Sequence, residues 1–469
     1  MAYGGYSYIE KTYKPDKDDF VVLFWAKGSV DIDKIAEALA AESSVGTWTK
    51  LATMNEYIWK RLRARVFRID KITRSSGFIW LAYPLEHFDV KNLLQFQASV
   101  LGNVFGLKEL TELVALDVKL PAAFQKNFHG PRAGIEGIRK VVGTEKTRRP
   151  HLGTIVKPKV GLAPKEFAQV AYNAYLGGCD FVKDDENLVN QEFCKFEARV
   201  YAMLATVDKI KSESGRQVLY SPNITDRLSE MLERVDLLKS AGARMAMIDV
   251  FIMGYSALQD IVTELQREGL LIHAHRAGYA VEARGKFGVH YQIHEKFYRL
   301  IGVDQLHVGT GVGKMEGGPL LIKRLREVAT EHRLNEKLHL GSLAFEWNKN
   351  IKPVMPVASG GVNTGMVDAL IALHGHDVVV QAGGGMHGHP GGTIAGARAM
   401  RQAIAAAMRK IPLPKFAETH LDLARALSKW DYVKPDSVKK VLAQENRNIK
   451  TLRKRTLSKG YSFIEETEG

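Results

Sequence analysis

The period of the apolar positions changes along the chain. Near the N-terminus, Val21-Val22-Leu23-Phe24-Trp25 predicts a short strand, and Ile32, Ile35, Ala36 and Leu39 repeat at the spacing of one helix face. Val66-Phe67-Arg68-Ile69 and Phe78-Ile79-Trp80-Leu81 predict a strand pair around Arg74-Ser75-Ser76-Gly77, followed by a helix over 90–100 and a strand over 113–118. The order β-α-β-β-α-β predicts a ferredoxin-like α+β unit over residues 1–130, with Pro121 and Phe128-His129-Gly130-Pro131 marking its end.

Beyond it, short β-branched runs alternate with helical stretches. The runs fall at 153–157, 179–183, 217–220, 245–249, 270–275, 305–309, 354–359 and 377–382. Eight units with no evident reversal predict an α/β fold, a (β/α)8 TIM barrel over residues 131–430. A doubly wound sheet shares the alternation and is the competing reading. Residues 431–469 form a helical, basic extension. There Asp436 could cap a helix with Val438, Val441, Leu442, Ile449 and Leu452 on one face, and Lys439, Lys440, Arg447, Lys450, Arg453 and Lys454 on the rest. Such a face binds nucleic acid or membrane in some proteins; a solvated surface docked through its apolar stripe is the simpler reading.

Composition narrows the class. The chain has 469 residues, 45% hydrophobic and 25% charged, the mix of a globular protein with a full core. No apolar run of about 18 residues predicts a membrane span, and the start lacks a secretory pattern. Two cysteines, Cys179 and Cys194, are too few for a disulfide framework and fit a cytoplasmic protein. The 66 basic and 52 acidic residues leave +14, which favours an anionic partner without saying which.

In a barrel, chemistry collects where strands end. Six of the eight predicted strands end in titratable or glycine-rich groups. Lys183-Asp184-Asp185-Glu186 places three carboxylates beside a lysine: either a solvated acidic loop or a site for a hard cation such as Mg²⁺. A lysine ligates a cation only if its amine has taken up CO₂ as a carbamate. Lys157 and Lys159, two apart on a strand, would share a side and depress each other's pKa for proton transfer, or else contact a phosphate. His273 and His275 share that spacing, as a metal pair or with His273 packed in the core. Residues 310–317 resemble a P-loop, but Val308 and Met315 break the motif, so a mobile lid carrying Lys314 is the better reading. Gly383, Gly385 and Gly388 satisfy GxGxxG without the acidic residue of a dinucleotide fold; backbone N–H groups holding a phosphate fit better. A substrate with two anionic ends follows, one end on Gly361, Gly383 and Gly384, the other on Arg276 and His307.

Gly178-Cys179-Asp180-Phe181-Val182-Lys183-Asp184-Asp185-Glu186 resembles the signature of the ribulose-1,5-bisphosphate carboxylase/oxygenase (RuBisCO) large subunit, and the resemblance extends from about residue 20 to about 430. It implies Lys183 as N6-carboxylysine, holding Mg²⁺ with Asp185 and Glu186. It further implies Lys157 as the acid–base group tuned by Lys159, His275 as a second proton carrier, Lys314 as the lid lysine, and Ser359 with Gly360 among the substrate contacts. Glu42-Ser43-Ser44-Val45-Gly46-Thr47-Trp48-Thr49 and Gly102-Asn103-Val104-Phe105-Gly106 resemble the segments that reach a neighbouring subunit's site, bringing Glu42, Thr47, Trp48 and Asn103 to the substrate in a homodimer or an oligomer of dimers. The implied reaction joins CO₂ to ribulose 1,5-bisphosphate to give two 3-phosphoglycerates, with O₂ as a competing substrate and no small subunit, nucleic acid or membrane as partner. Ile155, where plant-type members have threonine, and the Gly-Lys-Met-Glu-Gly lid favour the archaeal-type branch; Tyr279 stands where most members have histidine. A RuBisCO-like enolase or isomerase of methionine salvage is the near alternative, and a basic nucleic-acid-binding protein the distant one.

Overall fold

The computed structural model describes residues 5–313 and 317–447. Phe20–Gly28 (β1), Arg65–Thr73 (β2), Ser76–Tyr83 (β3) and Leu110–Lys119 (β4) form an antiparallel sheet in the order β4-β1-β3-β2. Helices Ile32–Glu42 and Leu93–Val100 complete the expected β-α-β-β-α-β unit. Each helix starts on a side-chain cap: Asp31 accepts from the Asp33 N–H and Asn92 from the Leu94 N–H. β1 is an unbroken apolar run because it is central and covered on both faces. Val22, Phe24 and Ala26 enter the main core, while Val21, Leu23 and Trp25 pack with Trp80, Val114, Leu116 and Leu343. The β2–β3 turn is tighter than predicted, with Arg74-Ser75 alone between paired Thr73 and Ser76.

The barrel follows. His151–Ile155 (β5), Phe181–Lys183 (β6), Leu219–Ser221 (β7), Met245–Asp249 (β8) and Leu271–His275 (β9) are its first five strands. Phe287–Val289 (β10) departs from it and lies parallel to β4 on the N-terminal sheet, an addition that the sequence did not announce. Gln305–His307 (β11) returns to the barrel. A small hairpin, Arg333–Leu334 (β12) and Phe345–Glu346 (β13), precedes the last barrel strands, Met355–Ser359 (β14) and Val379–Gln381 (β15). The eight strands run parallel in the order β7-β6-β5-β15-β14-β11-β9-β8. The ends of that order meet: the Met247 N–H donates to the Pro222 carbonyl at 2.8 Å, and the Ile224 N–H to the Met247 carbonyl at 3.0 Å. The sheet is therefore closed, which excludes the doubly wound reading. Phe181, Leu219, Met245, Leu271, Met355, Val357 and Val379 cluster with Ile135, Ile138 and Val142 of helix Gly134–Val142, away from the strand ends that carry the chemistry.

One buried ion pair ties the two units. Lys296 Nζ donates to Asp117 Oδ1 at 2.5 Å and to the Val118 carbonyl at 2.7 Å, and the Leu343 N–H donates to Asp117 Oδ2 at 2.8 Å. Burial pulls the Lys296 amine down to about 8 against the pull of Asp117.

The C-terminal helix spans Pro435–Arg447. Val438 is buried and Leu442 packs against the core, while Lys439 and Lys440 are exposed, so the helix docks through its apolar stripe. Asp436 lies in its first turn rather than capping it, because Pro435 already begins the helix. Ile449, Lys450, Leu452, Arg453 and Lys454 lie outside the described residues. Among the described residues no helix is long and apolar enough to cross a membrane.

Candidate active site

The C-terminal ends of the barrel strands surround a cleft of about 530 Å³. Lys157, Lys183, Asp185, Glu186, His275, Arg276, His307, Ser359, Gly360, Gly361, Gly383 and Gly384 all line it. The predicted residues of six strand ends thus converge on one space, as the strand-end rule requires.

Lys183 is the most buried of the polar group, 1% exposed, with Nζ donating to the Asp184 carbonyl at 2.8 Å and lying 3.9 Å from Glu186 Oε2. Burial pushes its amine below the ordinary lysine range, opposed by Glu186 and Asp185. Asp185 accepts from Lys157 Nζ at 2.7 Å on Oδ2, and from the Asn187 N–H and Nδ2 on Oδ1. Burial alone would raise this carboxyl; the bonds from Asn187 and Lys157 outweigh it and hold the group below its usual value. Asp184, in contrast, faces inward: it is fully buried and bound by Arg199, Tyr220 and the Asn223 N–H. The acidic loop is therefore divided, with one carboxylate anchoring it and two turned to the cleft.

The paired-lysine expectation is corrected. β5 ends at Ile155, before either lysine, so strand alternation does not govern them. Lys157 points into the cleft and pairs with Asp185, whereas Lys159 is exposed and does not line the cleft.

Three histidines on β9 and β11 meet edge to face, His307 standing at 82° to both His273 and His275. His273 is fully buried, its Nδ1 2.8 Å from Gln305 Oε1 and its Nε2 3.0 Å from His307 Nε2. One ring donates to the other, and burial drives both pKa values well below the ordinary range, so both stay neutral. His273 is a core residue and not half of a metal pair. His275 Nδ1 lies 3.0 Å from Asp249 Oδ1; a carboxylate only accepts, so Nδ1 carries the proton. Its Nε2 faces Glu186 Oε2 at 3.7 Å.

The anion cradles have matching features. Gly360 and Gly361, at φ 116° and 74°, turn the chain after β14 in a region that favours glycine. A Cβ on Gly383 would stand 3.0 Å from Lys157 Cε, so a larger residue there would crowd the lysine. Opposite, Arg276 is 7% exposed and its Nη1 is buried without a hydrogen-bond partner. Gln381, also lining the cleft, has both side-chain polar atoms unpartnered. Unpaired buried donors at a cleft wall are costly unless a ligand meets them.

Glu42, Thr47, Trp48 and Asn103 do not line this cleft. They lie on the N-terminal unit, where Asn103 Nδ2 donates to Glu42 Oε1 at 3.4 Å and Trp48 is 77% exposed. Lys314 lies outside the described residues. Residues the sequence reading passed over include Asp249, Gln381 and Trp430, while Tyr279, noted there only as a departure from the family, also lines the cleft. Asp249 had a signal, being the last residue of a predicted strand; Trp430, from beyond the barrel helices, had none.

No group of three or more His, Cys, Asp or Glu side chains forms a metal cluster among the described residues. The cleft offers a cation two carboxylates, Asp185 and Glu186, and a lysine whose neutral form burial favours. That donor set fits a hard divalent cation if the lysine carries a carboxylate.

Two family models divide the chain: ribulose bisphosphate carboxylase large chain, N-terminal domain, over residues 7–124, and the catalytic domain of the same chain over residues 134–430. The chain belongs to the ribulose bisphosphate carboxylase large-chain family. The Methanocaldococcus jannaschii ribulose bisphosphate carboxylase is 44% identical over 428 residues, 90% of this chain and 99% of that one. The dimeric archaeal Rubisco of Hyperthermus butylicus superposes with a TM-score of 0.84 at 39% identity, covering 91% and 99% of the two chains. The octameric Rubisco of Pyrococcus horikoshii, in complex with sulfate ion, gives 0.82 at 37% identity over 90% and 96%. These large chains are archaeal, and the chain is of the archaeal type, the branch to which Ile155 and the lid sequence pointed.

Proposed function

We propose that this protein carboxylates ribulose 1,5-bisphosphate with CO₂ and water to two 3-phosphoglycerates, O₂ competing for the same site. The observation that carries the reading is Lys183: a buried amine, its pKa lowered by burial, that faces two carboxylates at the mouth of the barrel. A neutral amine is the form that attacks CO₂, forming a C–N bond and releasing one proton to give a carbamate. Lys183 so modified, with Asp185 and Glu186, would hold Mg²⁺. When bound, the ion supplies Lewis-acid polarisation of the substrate carbonyl.

The other residues bind, orient and move protons. Arg276 and His307 take one phosphate, and Gly360, Gly361, Gly383 and Gly384 the other, which sets the sugar chain across the cleft. Ser359 holds a substrate hydroxyl between them. Lys157 Nζ, held on Asp185 Oδ2, exchanges protons at the reacting carbons. His275 presents Nε2 as a second proton carrier because Asp249 fixes its other nitrogen. Lys159, exposed beyond Lys157, acts at most at the rim. Lys314, outside the described residues, keeps the role that the family resemblance gives it, a cation for the carboxylated intermediate.

The functional unit is a homodimer, or an oligomer of dimers, without a small subunit. Glu42, Thr47, Trp48 and Asn103 fit that reading, since they leave their own chain's cleft and are free to complete a neighbour's. The family and its relatives set the methionine-salvage alternative aside.

Preincubation with bicarbonate and Mg²⁺ should raise the initial ribulose bisphosphate-dependent rate, and Lys183→Ala should abolish it. A Lys183→Ala protein with full activity overturns the assignment of the site.

A further inference from the structure

Arg276 is held in a way that an ion pair does not explain. Its guanidinium carbon lies 4.0 Å from the Tyr279 ring centroid and 4.2 Å from that of Tyr291. The two rings are 4.9 Å apart and inclined at 60°. Tyr291 is buried at the start of helix Tyr291–Ile301, and its hydroxyl donates to the His307 carbonyl at 2.9 Å, which fixes that ring to β11. Tyr279 comes from the loop after β9, is half-buried, and lines the cleft. No carboxylate among the described residues lies within ion-pair distance of Arg276. Glu295, on the same helix as Tyr291, is fully buried nearby with both carboxyl oxygens unpartnered, and Arg276 is the foremost cation acting on it.

The geometry has a chemical consequence. The N–H bonds of a guanidinium lie in its plane, so contact with ring faces fixes the plane without using its donors. No donor of Arg276 is thereby spent on the rings, and Arg276 lines the cleft, where an anion can meet it. An arginine held instead by a carboxylate would have to exchange one hydrogen-bonded partner for another.

We propose that Tyr279 is a positioning residue, its ring and not its hydroxyl holding the Arg276 guanidinium for the substrate's phosphate. The inference rests on the carboxylase reading for the identity of that substrate. Tyr291 is the fixed side of the clamp and Tyr279 the side carried by the loop.

The test uses the full-length protein activated with bicarbonate and Mg²⁺. Tyr279→Phe should keep the KM for ribulose bisphosphate within about twofold. Tyr279→Leu, apolar but without a ring face, should raise it about five- to tenfold with a smaller change in kcat. Calorimetric titration with inorganic phosphate gives a readout independent of turnover: Tyr279→Leu should reproduce, in weaker form, the loss caused by Arg276→Ala, and Tyr279→Phe should not. A Tyr279→Leu protein that binds substrate and phosphate like the wild type overturns the clamp. So does a Tyr279→Phe protein that loses kcat at unchanged KM, because the hydroxyl would then be the working group. A wild type that binds phosphate through Arg276 and Tyr279 but leaves ribulose bisphosphate untouched would preserve the clamp and overturn the carboxylase reading instead.

Discussion

Asp184→Asn separates the anchoring carboxylate of the acidic loop from its two neighbours in the cleft. Asp184 Oδ2 accepts from Arg199 Nε at 3.1 Å, Arg199 Nη2 at 3.0 Å and the Asn223 N–H at 2.9 Å, and Oδ1 accepts the Tyr220 hydroxyl at 2.7 Å. Both members of the ion pair are fully buried. Burial alone would lower the Arg199 guanidinium, and Asp184 more than reverses that. An amide in place of the carboxylate keeps the shape but leaves a charge in the core without its partner, a loss of about 3–5 kcal/mol. Unfolding entropy of roughly 2.1 cal/mol/K per residue amounts to about 1 kcal/mol/K for a chain of this length, so the melting temperature should fall by about 3–5 °C. Because Asp184 stands between Lys183 and Asp185, the same change should loosen the cation site and raise the Mg²⁺ concentration needed for half-maximal activation. Removing both charges in Asp184→Asn/Arg199→Met should recover part of the stability. Thermal melts followed by circular dichroism, with Mg²⁺ titrations of activity, measure both effects. A single variant that melts within 1 °C of the wild type (a bound on the order of 1 kcal/mol) with an unchanged Mg²⁺ midpoint refutes the anchoring role.

Three further outcomes are expected. Lys296→Met leaves Asp117 unpaired where the N-terminal sheet meets the barrel, and should cost about 3–5 kcal/mol, visible as a lowered melting temperature; an unchanged melt would remove this pair from the interface. His151, His290 and His387 are held neutral by burial, with pKa values lowered to about 4. Between pH 6.5 and 4 the unfolded chain takes up protons that the folded chain refuses, so stability is complete above about 6.5 and falls toward pH 4, by up to about 3 kcal/mol per histidine. Melting temperatures that stay flat from pH 7 to pH 4.5 would contradict this. Asp249→Asn replaces a carboxylate that can only accept with an amide that can also donate, so the proton is no longer fixed on His275 Nδ1, and kcat should fall about ten- to a hundredfold with a smaller change in KM; steady-state kinetics of the activated enzyme decide it.

The barrel was legible because its strands are short, largely apolar runs between helices, and the site because chemistry falls at the ends of those runs. β1 was readable for the opposite reason, its two covered faces giving an unbroken apolar stretch. What escaped depended on contacts far apart in sequence. Phe287–Val289 is three residues long and gains its place only from β4, more than 160 residues earlier. Asp184, Asp185 and Glu186 read alike in sequence; only Arg199, Tyr220 and Asn223 show which of them turns inward. Lys159 was misplaced because strand alternation was extended beyond Ile155, where the strand stops. The +14 charge was the weakest guide, since the cations that define the cleft are few and the rest lie elsewhere.

The most direct test of the account is product analysis after the protein, activated with bicarbonate and Mg²⁺, meets ribulose 1,5-bisphosphate and isotopically labelled CO₂. The account predicts two molecules of 3-phosphoglycerate for each bisphosphate consumed, one of the two carrying the label. Consumption of the bisphosphate with unlabelled product, or none at all in the carbamylated protein, would contradict it.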